Sequence, residues 1–296
     1  HTDFPPCISA CFFIYINFWQ NQFISFVKLE LNNIKLYQIK LKIMNNKILV
    51  LGAKFNVRLP DEKFEKVYTA NGAAILAKDY KDKYQNTYHV SVFAKEEFSK
   101  NLVVQKSVIK SQPDKIFIRN GEINLEDYNF KKLDKYQRIS SFEDMKIQLK
   151  FINLNFVEFI KTELNYKDND KLSYLIRCLK KFYFQGFSTG FFSLLLALQE
   201  NPESKIFISG VGLNEGGGHF YTSSNHKGFF SNNDKKKIYN TPYRNTNRKR
   251  VERHLFKNLK PNVLGRIVSI DRELCEIADI DYYNCEKTLY FSRNID

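Results

Sequence analysis

The chain has no CxxC pair and no metal-finger spacing. Its five cysteines (Cys7, Cys11, Cys178, Cys275 and Cys285) are irregularly placed. That pattern excludes a disulfide framework or a zinc ribbon and leaves reduced thiols. There is no GxGxxG after the first strand-like run, so a dinucleotide turn is not indicated. The longest stretch without charge is Phe4 to Val27, and Gln20-Asn21-Gln22 interrupt its apolar run. No basic residue precedes it, and there is no other transmembrane candidate.

What is present is a hydrophobic, aromatic and basic chain. Of 296 residues 43% are hydrophobic, with 27 Phe and 17 Tyr, enough for one large globular domain or two small ones. The net charge of +14 gives a positive field that attracts sugar nucleotides, phosphorylated lipids, nucleic acid or an anionic membrane surface. The first methionine is Met44, followed by Lys47-Ile48-Leu49-Val50-Leu51-Gly52, an apolar run closed by glycine. Residues 1–43 are therefore expected to be a non-core N-terminal segment, either upstream translation or a weak anchor. Residues 44–296 are expected to form a single catalytic domain.

Short apolar runs alternate with helical spacing. Strands are expected at 47–52, 66–69, 88–94, 115–119, 205–210 and 266–270, the last taken as the final core strand, with an edge strand near 288–291. Helices are expected through 77 and over 95–111, 151–164, 172–184, 190–198 and 251–259. Residues 122–150 are charged and poorly periodic, and read as an irregular, lid-like insertion. Strands that alternate with helices imply a mostly parallel sheet with helices on both faces, an α/β Rossmann-like class. Ligands of such sheets sit outside the carboxyl ends of the strands. Four loops converge there: Gly52–Asn56, Ala70–Ala74, Gly186–Gly190 and Gly212–Tyr221.

The residues in these loops suit an anionic ligand. Gly186-Phe187-Ser188-Thr189-Gly190 opens a helix, whose first N–H groups are free to meet a phosphate or carboxylate. Gly216-Gly217-Gly218-His219-Phe220-Tyr221 adds an imidazole and a phenol. Asn71 is either a turn residue tolerating positive φ or a ligand contact. His89, inside a strand, reads as structural. Asp168-Asn169-Asp170 has the spacing of a metal motif, but its place before a helix makes an N-cap the better reading.

At these loops the chain resembles the sialyltransferases, chiefly the bacterial nonulosonate transferases. Ser188-Thr189-Gly190, the following apolar helix and Ile206-Phe207-Ile208-Ser209-Gly210 look like the small sialylmotif. His219-Phe220-Tyr221 looks like the short His-aromatic-Tyr motif after it. Leu49-Val50-Leu51-Gly52 and Val67-Tyr68-Thr69-Ala70-Asn71 look like the first nucleotide-contacting elements. The likeness covers roughly residues 47–75 and 186–270.

The resemblance implies a GT-A-like sialyltransferase variant with a lid and an inverting, metal-independent transfer without cofactor. The donor would be a CMP-activated acidic sugar, sialic acid or Kdo. The acceptor would be a cell-surface glycan or glycolipid of lipopolysaccharide or capsule type. It also implies a cytoplasmic enzyme, peripheral at the inner face of the membrane, with no nucleic-acid partner. Gly52, Asn71, Ser188, Thr189, Gly190 and Tyr221 would hold the donor. His254 or His219 would be the general base. The family's later motif has a Glu four residues after its His, whereas Asn258 stands there after His254. The segment Tyr243-Arg244-Asn245-Thr246-Asn247, where bacterial members carry the base, has no His. Rival readings are another nucleotide-binding transferase, such as a methyltransferase, and a basic nucleic-acid-binding protein.

Overall fold

The computed structural model describes residues 47–54, 57–130, 135–166, 171–181, 186–213, 242–285 and 288–289. All of them belong to one unit, Asn46–Asp296. Residues 1–43 lie outside the described residues.

The centre is β1 (Lys47–Leu51), a run in which Ile48 and Val50 face one side and Leu49 and Leu51 the other. A strand apolar on both faces belongs inside a parallel sheet covered on both sides. On one side of β1 lie β3 (Lys66–Ala70), β4 (Tyr88–Ala94), β5 (Lys115–Arg119) and β6 (Lys135–Ile139). On the other lie β7 (Lys205–Ser209), β8 (Ile267–Ser269) and β9 (Asp281–Tyr282). Every ladder of this eight-stranded sheet is parallel. The short β2 (Leu59–Pro60) pairs antiparallel with β10 (Thr288–Leu289) in a separate two-stranded ladder. Among the described residues the connection from β1 to β3 carries β2 but no helix.

One face is covered by α1 (Ala74–Lys83), α2 (Lys95–Lys100) and α3 (Leu102–Ser111). The other carries α4 (Ser141–Phe151), α5 (Phe156–Asn165), α6 (Lys171–Lys181), α7 (Thr189–Glu200), α8 (Pro242–Lys257) and α9 (Pro261–Leu264). The short α10 (Arg272–Ile277) adds Leu274 to that second core. Helix α7 is buried nearly all round, from Phe191 to Leu198, and packs over β3 and β1. A helix apolar on every side is a core helix. Since α7 leads into β7, its N-terminus lies at the carboxyl end of the sheet.

The mostly parallel sheet with helices on both faces is thus present. Several boundaries differ from those expected, among them that of α8, which begins at Pro242 rather than at Val251. Residues 122–150 are not an irregular lid: they supply the edge strand β6 and helix α4, and residues 131–134 lie outside the described set. Helix α4 is started by a capping box in which Ser140 and Glu143 bond each other's backbone N–H. A second box, Asn155 with Glu158, starts α5 after a break at Ile152. The run 95–111 is two helices, because the Asn101 side chain accepts from Val103 and Val104 and caps α3. Strand β8 is the last buried strand, as expected, and the short, partly exposed β9 pairs beyond it as the sheet's edge. Among the described residues no helix is long and apolar enough to cross a membrane.

Candidate functional site

Strand order reverses at β1 and β7: the chain leaves β1 toward β3 and leaves β7 toward β8. In open parallel sheets the ligand crevice forms at such a reversal. Here the two backbones close on each other. The N–H of Gly52 donates to the Ser209 carbonyl at 2.8 Å, and that of Lys54 to the Gly210 carbonyl at 2.9 Å. A Cβ on Gly52 would lie 2.2 Å from the Gly210 oxygen. Gly210 has φ +70°, and a Cβ there would lie 2.7 Å from the Gly52 carbonyl oxygen. Gly52, expected to approach a nucleotide, is therefore taken up by strand-to-strand contact, and among the described residues no helix N-terminus follows it before β3.

The loop after β7 is held by acids. Gly210 N–H donates to Asp271 Oδ2 at 2.7 Å, and Leu213 N–H to Glu273 Oε1 at 2.9 Å. Glu273 also pairs with Lys54. Burial pushes the Asp271 carboxyl above its ordinary pKa, while the Gly210 N–H and Lys54 pull it back.

The loop before α7 is clamped more tightly. Three successive N–H groups donate to three buried side chains from three helices. Gly186 donates to Glu163 Oε1 of α5 at 2.6 Å, Phe187 to Gln148 Oε1 of α4 at 2.9 Å, and Ser188 to Glu252 Oε1 of α8. Each acceptor is fixed in turn. Glu163 accepts from Tyr174 Oη at 2.6 Å, and Glu252 lies 3.5 Å from the Lys249 ammonium. Gln148 donates to Asp144 at 2.7 Å. Asp144 accepts two bonds from Arg119, at 2.8 and 2.5 Å. Arg119 ends β5, donates to the Phe187 carbonyl at 3.2 Å and stacks 4.1 Å over the Phe192 ring. Gly186, at φ +44°, allows this: a Cβ there would overlap Gln148 Oε1 at 1.9 Å.

The loop therefore reaches from Arg119, at the end of β5, to Val211, past β7, whose Cγ1 would be 3.3 Å from a Cβ on Gly190. With the strand order β5-β4-β3-β1-β7, it passes over the carboxyl ends of β4, β3 and β1. Asn71 follows β3 with φ +50°. Its Oδ1 is buried without a hydrogen-bond partner among the described residues. Ser188 is the N-cap of α7 in extended conformation, yet its hydroxyl makes no capping bond. Thr189 is buried and Gly190 half-buried. The positive end of α7 thus opens onto the same edge as Asn71, with Ser188 N–H already taken by a carboxylate.

The two histidines fare differently. Glu252 faces the loop, and His254, two residues on, is rotated by about 200° around α8. Its ring lies 6.4 Å from that of Tyr166, at the end of α5. His219 and Tyr221 lie outside the described residues, as do Asn56 and the Asp168–Asp170 motif. The structure thus brings Asn71, Ser188, Thr189 and Gly190 to one edge and sets His254 apart. Among the described residues no group of three or more His, Cys, Asp or Glu could hold a metal ion.

Sequence reasoning missed Arg119, Asp144, Gln148, Glu163 and Glu252. One signal was available: an arginine closing an apolar strand (Lys-Ile-Phe-Ile-Arg) needs a buried partner. In comparisons with known proteins, no family model, no curated protein and no solved structure matched this chain.

Proposed function

We propose that this chain is an inverting glycosyltransferase that passes sialic acid, or a related nonulosonate or Kdo, from a CMP-activated donor to a cell-surface glycan or glycolipid. What supports the reading most is the clamped loop Gly186–Gly190, which presents the N-terminus of α7 at the carboxyl edge of the sheet, the edge that also carries Asn71, whose buried amide oxygen has no hydrogen-bond partner among the described residues. In the reaction the bond from anomeric carbon to phosphate oxygen breaks and CMP leaves with the electron pair. The acceptor oxygen bonds that carbon and gives its proton to a histidine. The departing phosphate gains negative charge, which the N-terminus of α7 and Tyr221 would stabilise. Asn71, Ser188 and Thr189 would hold the ribose and the sugar carboxylate. The place of His254 against Tyr166 favours His219 as the base. The enzyme would work peripherally at the inner face of an anionic membrane, where the acceptor is anchored.

The test is thermal stabilisation screened against CMP, CDP, UDP, S-adenosylmethionine and NAD, since a ligand selective for the native state raises the midpoint by mass action. A rise with CMP, lost in Asn71→Ala, together with CMP release from CMP-sialic acid or CMP-Kdo when an acceptor is added, is the expected result. A rise with S-adenosylmethionine instead would move the chain to the methyltransferase reading. No rise with any nucleotide would end the transferase reading.

A further inference from the structure

Helix α6 carries two apolar stripes, and only one of them faces the protein. Tyr174 and Cys178 are buried in the core of the α4–α8 face. On the opposite side Leu172, Ile176 and Leu179 are 67%, 44% and 45% exposed. At 100° per residue these three fall within an arc of about 60°. Lys171 and Lys180, both exposed, lie on opposite sides of that arc, about 110° and about 70° from its middle. The sequence Lys171–Lys181 contains four Lys or Arg beyond the stripe's own residues and no acid: Lys171, Arg177, Lys180 and Lys181.

Single exposed leucines are ordinary, but three aligned on one helix between two lysines are not. An apolar ridge with basic flanks fits the boundary between lipid headgroups and acyl chains: the apolar side chains enter, and the ammonium groups stay at the phosphates. The charge sign selects the occupant, because the chain as a whole is at +14 and an acid-free helix attracts an anionic surface.

We infer that α6 is an interfacial helix which docks the protein on an anionic lipid surface through Leu172, Ile176 and Leu179, with Lys171 and Lys180 on the headgroup phosphates. This deepens the reading of a membrane-anchored acceptor and rests on it, but its measurement does not involve the donor.

The experiment is cosedimentation of the full chain with vesicles of phosphatidylcholine alone or mixed with phosphatidylglycerol. Binding is expected to the mixed vesicles and to weaken with salt. The triple variant Leu172→Ser, Ile176→Ser, Leu179→Ser should lower partitioning by at least about tenfold, since each side chain loses part of its apolar transfer energy. The pair Lys171→Gln and Lys180→Gln should lose the preference for phosphatidylglycerol while keeping the fold. Leu102→Ser, at a residue 64% exposed on the other face of the sheet, should change nothing. Wild-type protein that ignores the mixed vesicles, or a triple variant that binds them as well, overturns the inference. So does a concentration-dependent dimer that the triple variant abolishes, which would assign the ridge to a second copy. A CMP thermal shift measured in the same variants reports on the donor site separately: vesicle binding with no CMP shift keeps the docking surface and removes the transferase reading.

Discussion

On the α1–α3 face of the sheet the buried polar side chains include Thr69, His89, Ser91 and Ser107; on the α4–α8 face they include Arg119, Asp144, Glu163 and Glu252. The first set is neutral. Thr69 Oγ1 and His89 Nε2 share a bond of 2.8 Å, and burial, helped by Lys81, lowers the His89 pKa to about 3. The second set is charged, and it converges on the backbone of one loop. Neutral groups sit in a core at the cost of a hydrogen bond or two, whereas buried ions need partners within reach. The difference teaches where the fold needs precision: one face only has to pack, while the other has to hold Gly186–Ser188 in place.

The contrast breaks most visibly at Arg119. Arg119→Met leaves Asp144 buried without its counter-ion, holding only the Gln148 amide, and should cost about 3–5 kcal/mol in denaturant unfolding. Adding Asp144→Leu should recover most of that loss, because an apolar pair replaces an ion pair. A single variant that unfolds no more easily than wild type would mean the ion pair carries no such role.

The neutral face predicts an acid dependence instead. With its folded pKa near 3 and its ordinary value at 6.5, His89 binds a proton in the unfolded chain before it does in the folded one. Its contribution is complete above pH 6.5 and is lost as pH falls through that window, by up to about 1.4 kcal/mol per pH unit. In His89→Gln the slope of stability against pH between 6.5 and 3 should flatten by that amount. An unchanged slope would place the acid sensitivity elsewhere.

The smallest effect sharpens the comparison from the site's side. An N-cap serine normally contributes about 1 kcal/mol. The Ser188 hydroxyl makes no capping bond, so Ser188→Ala should shift stability by less than about 0.5 kcal/mol. If the donor reading holds, the same variant should lose its CMP-induced rise in melting midpoint. A large stability loss would show that the hydroxyl serves the fold.

Much of this architecture was legible in the chain. The inner strands β1, β3, β4, β5 and β7 are short apolar runs, and a parallel sheet needs such runs. Strand β6 escaped because its exposed Tyr136, Gln137 and Arg138 lie at the sheet's edge, where the apolar signal fades. The helix behind it carried a signal, Ser140 and Glu143 at capping-box spacing, that the reading of 122–150 as irregular passed over. Gly52 misled for a physical reason: glycine marks close backbone approach, and the sequence does not say whether a ligand or another strand approaches. The clamp was illegible because Gln148, Glu163 and Glu252 arrive from three separate helices. Periodicity shows which face of a helix is buried, not what an acid on that face will meet.

The central position of β1 also bears on how the chain is made. Its first edge is covered by β3 soon after synthesis, but its second waits for β7, since Lys47 pairs with Lys205. At about 5–20 residues per second, the roughly 150 intervening residues take on the order of ten seconds to emerge from a ribosome. For that interval an apolar strand in the middle of the future sheet has an open side, which invites pairing with another nascent chain. The production of this protein should therefore depend on elongation speed and on chaperones that cover such an edge, more than the finished sheet, in which β1 is paired on both sides, would suggest.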